Sequence, residues 1–259
     1  MAETRKEVVQ VIFLGHFMHE DRTIFLLRKY IPHKVYFIKS TEEYETTLDD
    51  KEFRLKLLEK YKKELPPWVA KNAELVNISF FDFNETFPKL LEIFSKEAKA
   101  GNEVIINLHG ATISTAIAAV YAATLTGAKP FWIQPKRWVF GHSTKGETTL
   151  YPEGAKRELL IDIPIKPELP RKPYSDILIY LFKNKGVVTS KLKDIVEKIG
   201  LEKLGHVKKS TSGVVKMSKL VHILKEKGFV ETKKVGRKLF EIKLTDKGKL
   251  VADVLSILE

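Results

Sequence analysis

Apolar and polar positions alternate in blocks along the first half of the chain. VVQVIFLG (Val8–Gly15) is a short continuous apolar run, followed by a polar loop and by RTIFLLRKY, an amphipathic helix pattern. KVYFIKS is a second strand pattern. Asp49 to Leu65 reads as a charged helix with Phe53, Leu57, Leu58, Tyr61 and Leu65 on one side, ended by Pro66-Pro67. AELVNISF is a third strand, Thr86 to Ala100 a helix closed by Gly101, and EVIINLH a fourth strand. Ile113 to Thr126 is the next helix and KPFWIQP the fifth strand. Strands that alternate with helices imply a parallel sheet covered on both faces. The pattern predicts an α/β, Rossmann-like domain, whose ligand would lie at the carboxyl ends of the strands where the strand order reverses.

The pattern changes at IDIPIKPELPRKPYSD, with prolines at 164, 167, 170 and 173. That spacing excludes helix and central strand and favours an extended linker. Beyond it, YSDILIYLFKNKG predicts a helix burying Ile177, Leu178, Leu181 and Phe182, with Gly186 as its stop. TSKLKDIVEKIG (Thr189–Gly200) predicts a second helix that opens on hydroxyl caps. STSGVVKMSKLVHILKEKGFV gives a third, with Val214, Met217, Leu220, Val221 and Leu224 as its inner stripe. A hairpin turning at Val235-Gly236 and a closing helix, TDKGKLVADVLSIL, complete the order of a winged helix-turn-helix. The predicted organisation is therefore residues 1–163, a linker at 164–173 and a second domain at 174–259.

Charge reinforces this division. Leu169–Glu259 holds 21 of the 45 Lys+Arg and 10 of the 33 Asp+Glu, a balance of +11 against +1 for the rest. A neutral body with a basic last third points to a polyanionic partner for that third. There is no cysteine, which removes disulfides and thiolate metal sites and fits a cytoplasmic protein. No apolar run approaches the ~20 residues that span a bilayer, and MAETRKEVVQ lacks the apolar core of a signal peptide, so no membrane partner is expected.

Two strand-to-helix loops carry candidate chemistry. They are GHFMHEDRT (Gly15–Thr23) and NLHGATIST (Asn107–Thr115), after the first and fourth strands. Free N–H groups at the start of the helix near Thr112–Ser114, with hydroxyls beside them, suit a phosphate. Thr112 and Ser114 also suit plain N-caps, and Gly110 a plain turn. Replacing Gly110 with valine is expected to block backbone approach to a ligand while leaving the fold intact. His16, His19 and His109 have no spacing that defines a metal site. There is no Walker P-loop and no GxGxxG.

FLGHFMHEDR, VIINLHGATISTAIAAVYAA and GAKPFWIQP, followed by a proline linker and a winged helix, together resemble archaeal regulators. In these a CARF-like (CRISPR-associated Rossmann fold) domain is fused to a winged helix-turn-helix. The resemblance covers most of the chain and lies more in the order of parts than in any one motif. It implies a homodimer that binds a cyclic oligoadenylate or related nucleotide across the dimer axis, and no required cofactor. Carried over, it implicates Gly15, His16 and Asp21 from the first loop, with Asn107, His109, Gly110 and Thr112 from the second. Many relatives place a lysine where Ile113 stands, so Lys136 and Arg137 are the candidates to replace its charge. Some CARF domains cleave their own ligand. His16, His109 or Thr112 would assist such a ring nuclease, the enzymatic alternative.

In the last third, Ser210, Thr211, Ser212, Lys216 and Lys219 lie at the start of the third helix, where side chains of a recognition helix reach base edges. Lys233, Lys234, Arg237 and Lys238 cluster on the hairpin and suit the phosphate backbone of duplex DNA. The expected function is a homodimeric, ligand-responsive transcription regulator. The further alternative is a constitutive DNA binder whose first domain only dimerises.

Overall fold

The computed structural model describes residues 6–15, 20–42, 50–142, 148–163, 167–200, 210–236 and 239–259. His16, Arg237 and Lys238, and part of the proline segment at 164–166, lie outside them, as do the side chains of Ser210, Thr211 and Ser212. The chain divides into two compact units, Met1–Pro167 and Glu168–Glu259, with the division inside the proline-rich segment.

In the first unit the apolar runs become β1 (Val8–Leu14), β2 (Lys34–Ser40), β3 (Glu74–Ile78), β4 (Glu103–Asn107) and β5 (Lys129–Gln134). Between them lie α1 (Glu20–Lys29), α2 (Asp50–Lys63), a short α3 (Pro67–Lys71), α4 (Phe83–Lys99) and α5 (Ile113–Thr126). α4 begins three residues before the expected Thr86, because the Asp82 side chain accepts a hydrogen bond from the Asn84 amide and caps the helix there. Three strands that the sequence pattern does not predict follow, β6 (Arg137–His142), β7 (Thr148–Glu153) and β8 (Arg157–Leu160). β6 and β7 make a separate hairpin that reverses the chain, and β8 returns antiparallel beside β5. The expected all-parallel sheet is thus corrected to a parallel sheet with one antiparallel edge strand, a common finish for α/β sheets. Its order is β3-β2-β1-β4-β5-β8. Leu57, Leu58, Tyr61 and Leu65 pack with Ile12, Leu14, Val35 and Phe37, so the predicted inner side of α2 does face β1 and β2.

The second unit runs α6 (Tyr174–Lys183), β9 (Val187–Lys191), α7 (Leu192–Ile199), α8 (Ser210–Glu226), β10 (Val230–Gly236), β11 (Leu239–Leu244) and α9 (Asp246–Leu258). Two expectations are corrected. Thr189 and Ser190 are not helix caps: they pair with Glu241 and Phe240 of β11, which makes a three-stranded sheet of order β10-β11-β9. Val235 and Gly236 do not form the hairpin turn. Gly236 still pairs with Leu239, and a register shift is taken up between Lys234 and Gly236. Ile177, Leu178, Leu181, Met217, Leu220, Val221 and Leu224 form one core with Ile195, Val196, Ile242 and Leu244.

Candidate functional site

β1 lies between β2 and β4, and β4 continues to β5, so the strand order reverses between β1 and β4. Both strands are parallel, and their carboxyl ends open into Gly15 and into Leu108–Thr112. The two loops meet backbone on backbone. A Cβ added to Gly15 would stand 2.0 Å from the Gly110 carbonyl oxygen, and one added to Gly110 would stand 2.3 Å from the Phe13 carbonyl oxygen. Gly110 also has φ +82°, a left-handed conformation that disfavours other residues. The expectation that a valine there would spare the fold is therefore corrected: it would push β1 and the second loop apart.

The second loop is held from several sides. Thr112 is the N-cap of α5 and accepts from the Thr115 amide, while its hydroxyl donates to the Phe80 carbonyl. Thr115 and Ser114 donate to Phe80 and Phe81 carbonyls at 2.8 and 3.3 Å, which ties the start of α5 to the loop before α4. Asn107 is fully buried, and its Oδ1 accepts from the His109 amide at 3.1 Å. His109 is also buried, and its Nε2 lies 2.8 Å from the Ile133 amide and 3.1 Å from the Ile133 carbonyl oxygen of β5, so the tautomer sets whether it accepts or donates. Burial, with the nearby charge of Arg22, takes its pKa down to about 3 against a partial lift from the Ile133 backbone, so the ring is neutral.

Asp21 and Lys136 line one open cleft with Ile24, Phe25, Arg28, Lys29, Gly154 and Ala155. Arg137 is instead committed to Glu153 through two hydrogen bonds, of 2.6 and 3.1 Å, on the β6–β7 hairpin. At the neighbouring carboxyl ends of β2 and β3, Glu42 accepts from the Ser40 and Ser79 hydroxyls and from the Phe80 amide. Burial alone would raise its pKa, but these donors outweigh it and hold the carboxyl at about 2.

Arg22 is not among the residues that the sequence pattern singles out. It follows Asp21 in the first turn of α1 and looks like one more surface cation, yet it is only 3% exposed. Nothing in the local pattern signals that burial. Among the described residues, no group of three or more His, Asp or Glu side chains is placed to hold a metal ion.

In the second unit, Lys219 is exposed on α8 beside Ser218, and Val215, one turn earlier, is 59% exposed. Lys216 is half-buried. Lys233 and Lys234 are both exposed on β10, opposite Glu241 and Phe240.

A family model described as "HFX_2341_N:-like, N-terminal" matches residues 8–138, just over half of the chain. The chain belongs to this family. The matched part of this HFX_2341_N:-like chain runs from the start of β1 into β6, so it contains both glycine loops and none of the second unit. No curated protein matches the chain. Among solved structures, Csm6 from Enterococcus italicus, bound to cyclic hexa-2′-fluoro-hexa-dAMP, is 10% identical with a TM-score of 0.38 over 86% of this chain and 56% of that one. Protein VC1899 from Vibrio cholerae is 13% identical with a TM-score of 0.36, over 97% of this chain and 66% of that one. Can2 from Sulfobacillus thermosulfidooxidans, in complex with cyclic tetra-adenylate, is 11% identical with a TM-score of 0.36, over 94% and 61%. The chain thus spans less than two thirds of the length of these remote neighbours. No helix among the described residues is long and apolar enough to cross a membrane.

Proposed function

We propose that this protein is a homodimeric regulator whose CARF-like first unit senses a nucleotide, and whose second unit, a winged helix-turn-helix, binds duplex DNA. The observation that carries the sensing half is the meeting of the Gly15 and Gly110 loops where the strand order reverses. That place is the usual ligand crevice of an open α/β sheet. In this reading Gly15, Asn107, His109, Gly110 and Thr112, with His16, line that place, and Asp21 and Lys136 line the open cleft beside α1. Several of them act through backbone groups and through the loop they hold. A neutral His109 bonded to Ile133 is poorly placed for acid–base work, which favours sensing over ring cleavage.

Support for the dimer comes from α5. Ala118, Ala119, Ala122 and Ala123 are buried, but Ile113, Ile117 and Tyr121 recur every four residues as an exposed stripe, with Ile113 82% exposed. A second copy of the chain would cover that stripe. Support for DNA comes from the +11 balance of Leu169–Glu259 and from the element order of the second unit, which presents the outer face of α8 beside a cationic hairpin. In this reading Ser210, Thr211, Ser212, Lys216 and Lys219 meet base edges, and Lys233, Lys234, Arg237 and Lys238 meet phosphates.

The test is duplex binding by the full chain across a salt series. Wild type should bind with a log–log slope of roughly one per neutralised phosphate, and Lys233→Gln with Lys234→Gln should flatten that slope by about two. No duplex binding by wild type at any salt concentration would remove the DNA half of the proposal, and equal slopes for wild type and the double variant would remove Lys233 and Lys234 as phosphate contacts.

A further inference from the structure

Two buried donors at the carboxyl edge of the first sheet have no hydrogen-bond partner, Arg22 Nη2 and Asn107 Nδ2. Both residues are more than nine-tenths buried. Native structures leave few such groups, and each calls for a reason. Arg22 stands in the first turn of α1, just past the loop that starts at Gly15. Asn107 ends β4, and its Oδ1 is taken by the His109 amide, which leaves the NH2 end over. The Arg22 charge also lowers the proton affinity of the His109 ring in the second loop. Among the described residues no carboxylate pairs with Arg22. Of the two cations the resemblance offers, Arg137 is paired with Glu153, and Lys136 lines the open cleft with Asp21. A guanidinium cannot shed its proton to escape burial, so one with a buried, unsatisfied Nη2 is held at a cost to stability. Such a cost is typical of a site kept ready for an anion.

We propose that Arg22 is the cation that receives a phosphate of the ligand, with the Asn107 amide donating beside it. This rests on the reading that a nucleotide binds where the Gly15 and Gly110 loops meet. It assigns the charge missing at Ile113 to a residue on α1.

Thermal unfolding of the full chain tests it, with Arg22→Met and Arg22→Lys compared to wild type. Each is melted alone, with inorganic pyrophosphate and with cyclic tetra-adenylate. Arg22→Met should melt higher than wild type when alone, because a buried charge with an unsatisfied Nη2 is gone. It should show no shift with pyrophosphate and bind the cyclic ligand about 100-fold more weakly. Arg22→Lys keeps the charge but loses the fork, and should bind about tenfold more weakly. It decides the matter if the methionine variant does not fold. A purely structural Arg22 would give the reverse: a lower melting temperature alone and ligand shifts equal to those of wild type. If pyrophosphate stabilises wild type but not Arg22→Met, and the cyclic ligand stabilises neither, the nucleotide reading fails and the Arg22 assignment stands. If the cyclic ligand binds wild type and both variants equally, the assignment fails and the nucleotide reading stands. If neither ligand shifts wild type, both fail.

Discussion

Gly15 and Gly110 touch through their backbones at the one point where the sheet reverses its strand order, with no room for a Cβ on either. Neither neighbour can yield, because each obstructing atom is main chain. Gly15→Ala and Gly110→Ala should therefore each cost about 2–4 kcal/mol of stability in urea unfolding. Gly101 supplies the control. It also has a positive φ, +84°, but open space around it, so Gly101→Ala should cost only ~1 kcal/mol. Equal losses at all three sites would mean that backbone conformation, and not the contact between the loops, is what matters.

Much of this architecture is legible from periodicity and punctuation. α5 is predicted at its observed bounds because Thr112 caps it and Gly127 ends it in a left-handed conformation. β2 is found at its bounds because a compact apolar run follows Pro32. What is illegible depends on partners far along the chain. β9 (VVTSK) leads straight into α7, and its hydroxyls imitate caps until β11 is there to pair with it. β8 is a strand only because the β6–β7 hairpin brings it back to β5. In the site, the loops and their glycines are visible in sequence, whereas the burial of Arg22 and the commitment of Arg137 to Glu153 are tertiary facts. The helix-cap reading of Thr112, weighed against a ligand role, is what its hydrogen bonds display.

Glu42 should make the fold acid-sensitive. Its carboxyl is held at about 2, against an ordinary value of 4.5. A depressed folded-state pKa contributes stability that is complete above about 4.5 and is lost as pH falls towards 2. Wild type minus Glu42→Gln, measured by urea unfolding from pH 6 to pH 2.5, should shrink by about 1–2 kcal/mol after allowance for solvent screening. A difference that stays constant with pH would show that the carboxylate is not held by Ser40, Ser79 and Phe80.

His109 should not titrate near neutrality. Nε2 lies within hydrogen-bond distance of both the amide and the carbonyl oxygen of Ile133, and burial keeps the ring neutral. The folded ring takes up a proton only near pH 3, whereas the unfolded ring does so near 6.5. This residue therefore weakens folding progressively as pH drops below 6.5. Nitrogen-15 spectra of labelled histidine should show one resonance of a neutral ring, unmoved from pH 8 to pH 5. A midpoint near 6.5 for that resonance would contradict the packing described for the second loop.

The α5 stripe should govern assembly. Ile117→Glu places a charge in the middle of Ile113, Ile117 and Tyr121, on a face that the protomer itself leaves exposed. Light scattering at micromolar concentration should give a dimer for wild type and a monomer for the variant, with unchanged circular dichroism. A wild-type monomer would remove the dimer from the proposal.

In the proposed regulator one chain links a nucleotide site in the first unit to DNA binding in the second. The direct measurement is the affinity of the full-length protein for its preferred duplex, selected from a random library, with and without saturating cyclic tetra-adenylate at fixed salt. We expect the ligand to change the DNA dissociation constant by roughly 5–150-fold in one direction, the span of ordinary allosteric coupling, and bound DNA to change ligand affinity by the same factor. An unchanged DNA dissociation constant, with the ligand demonstrably bound, would contradict the claim.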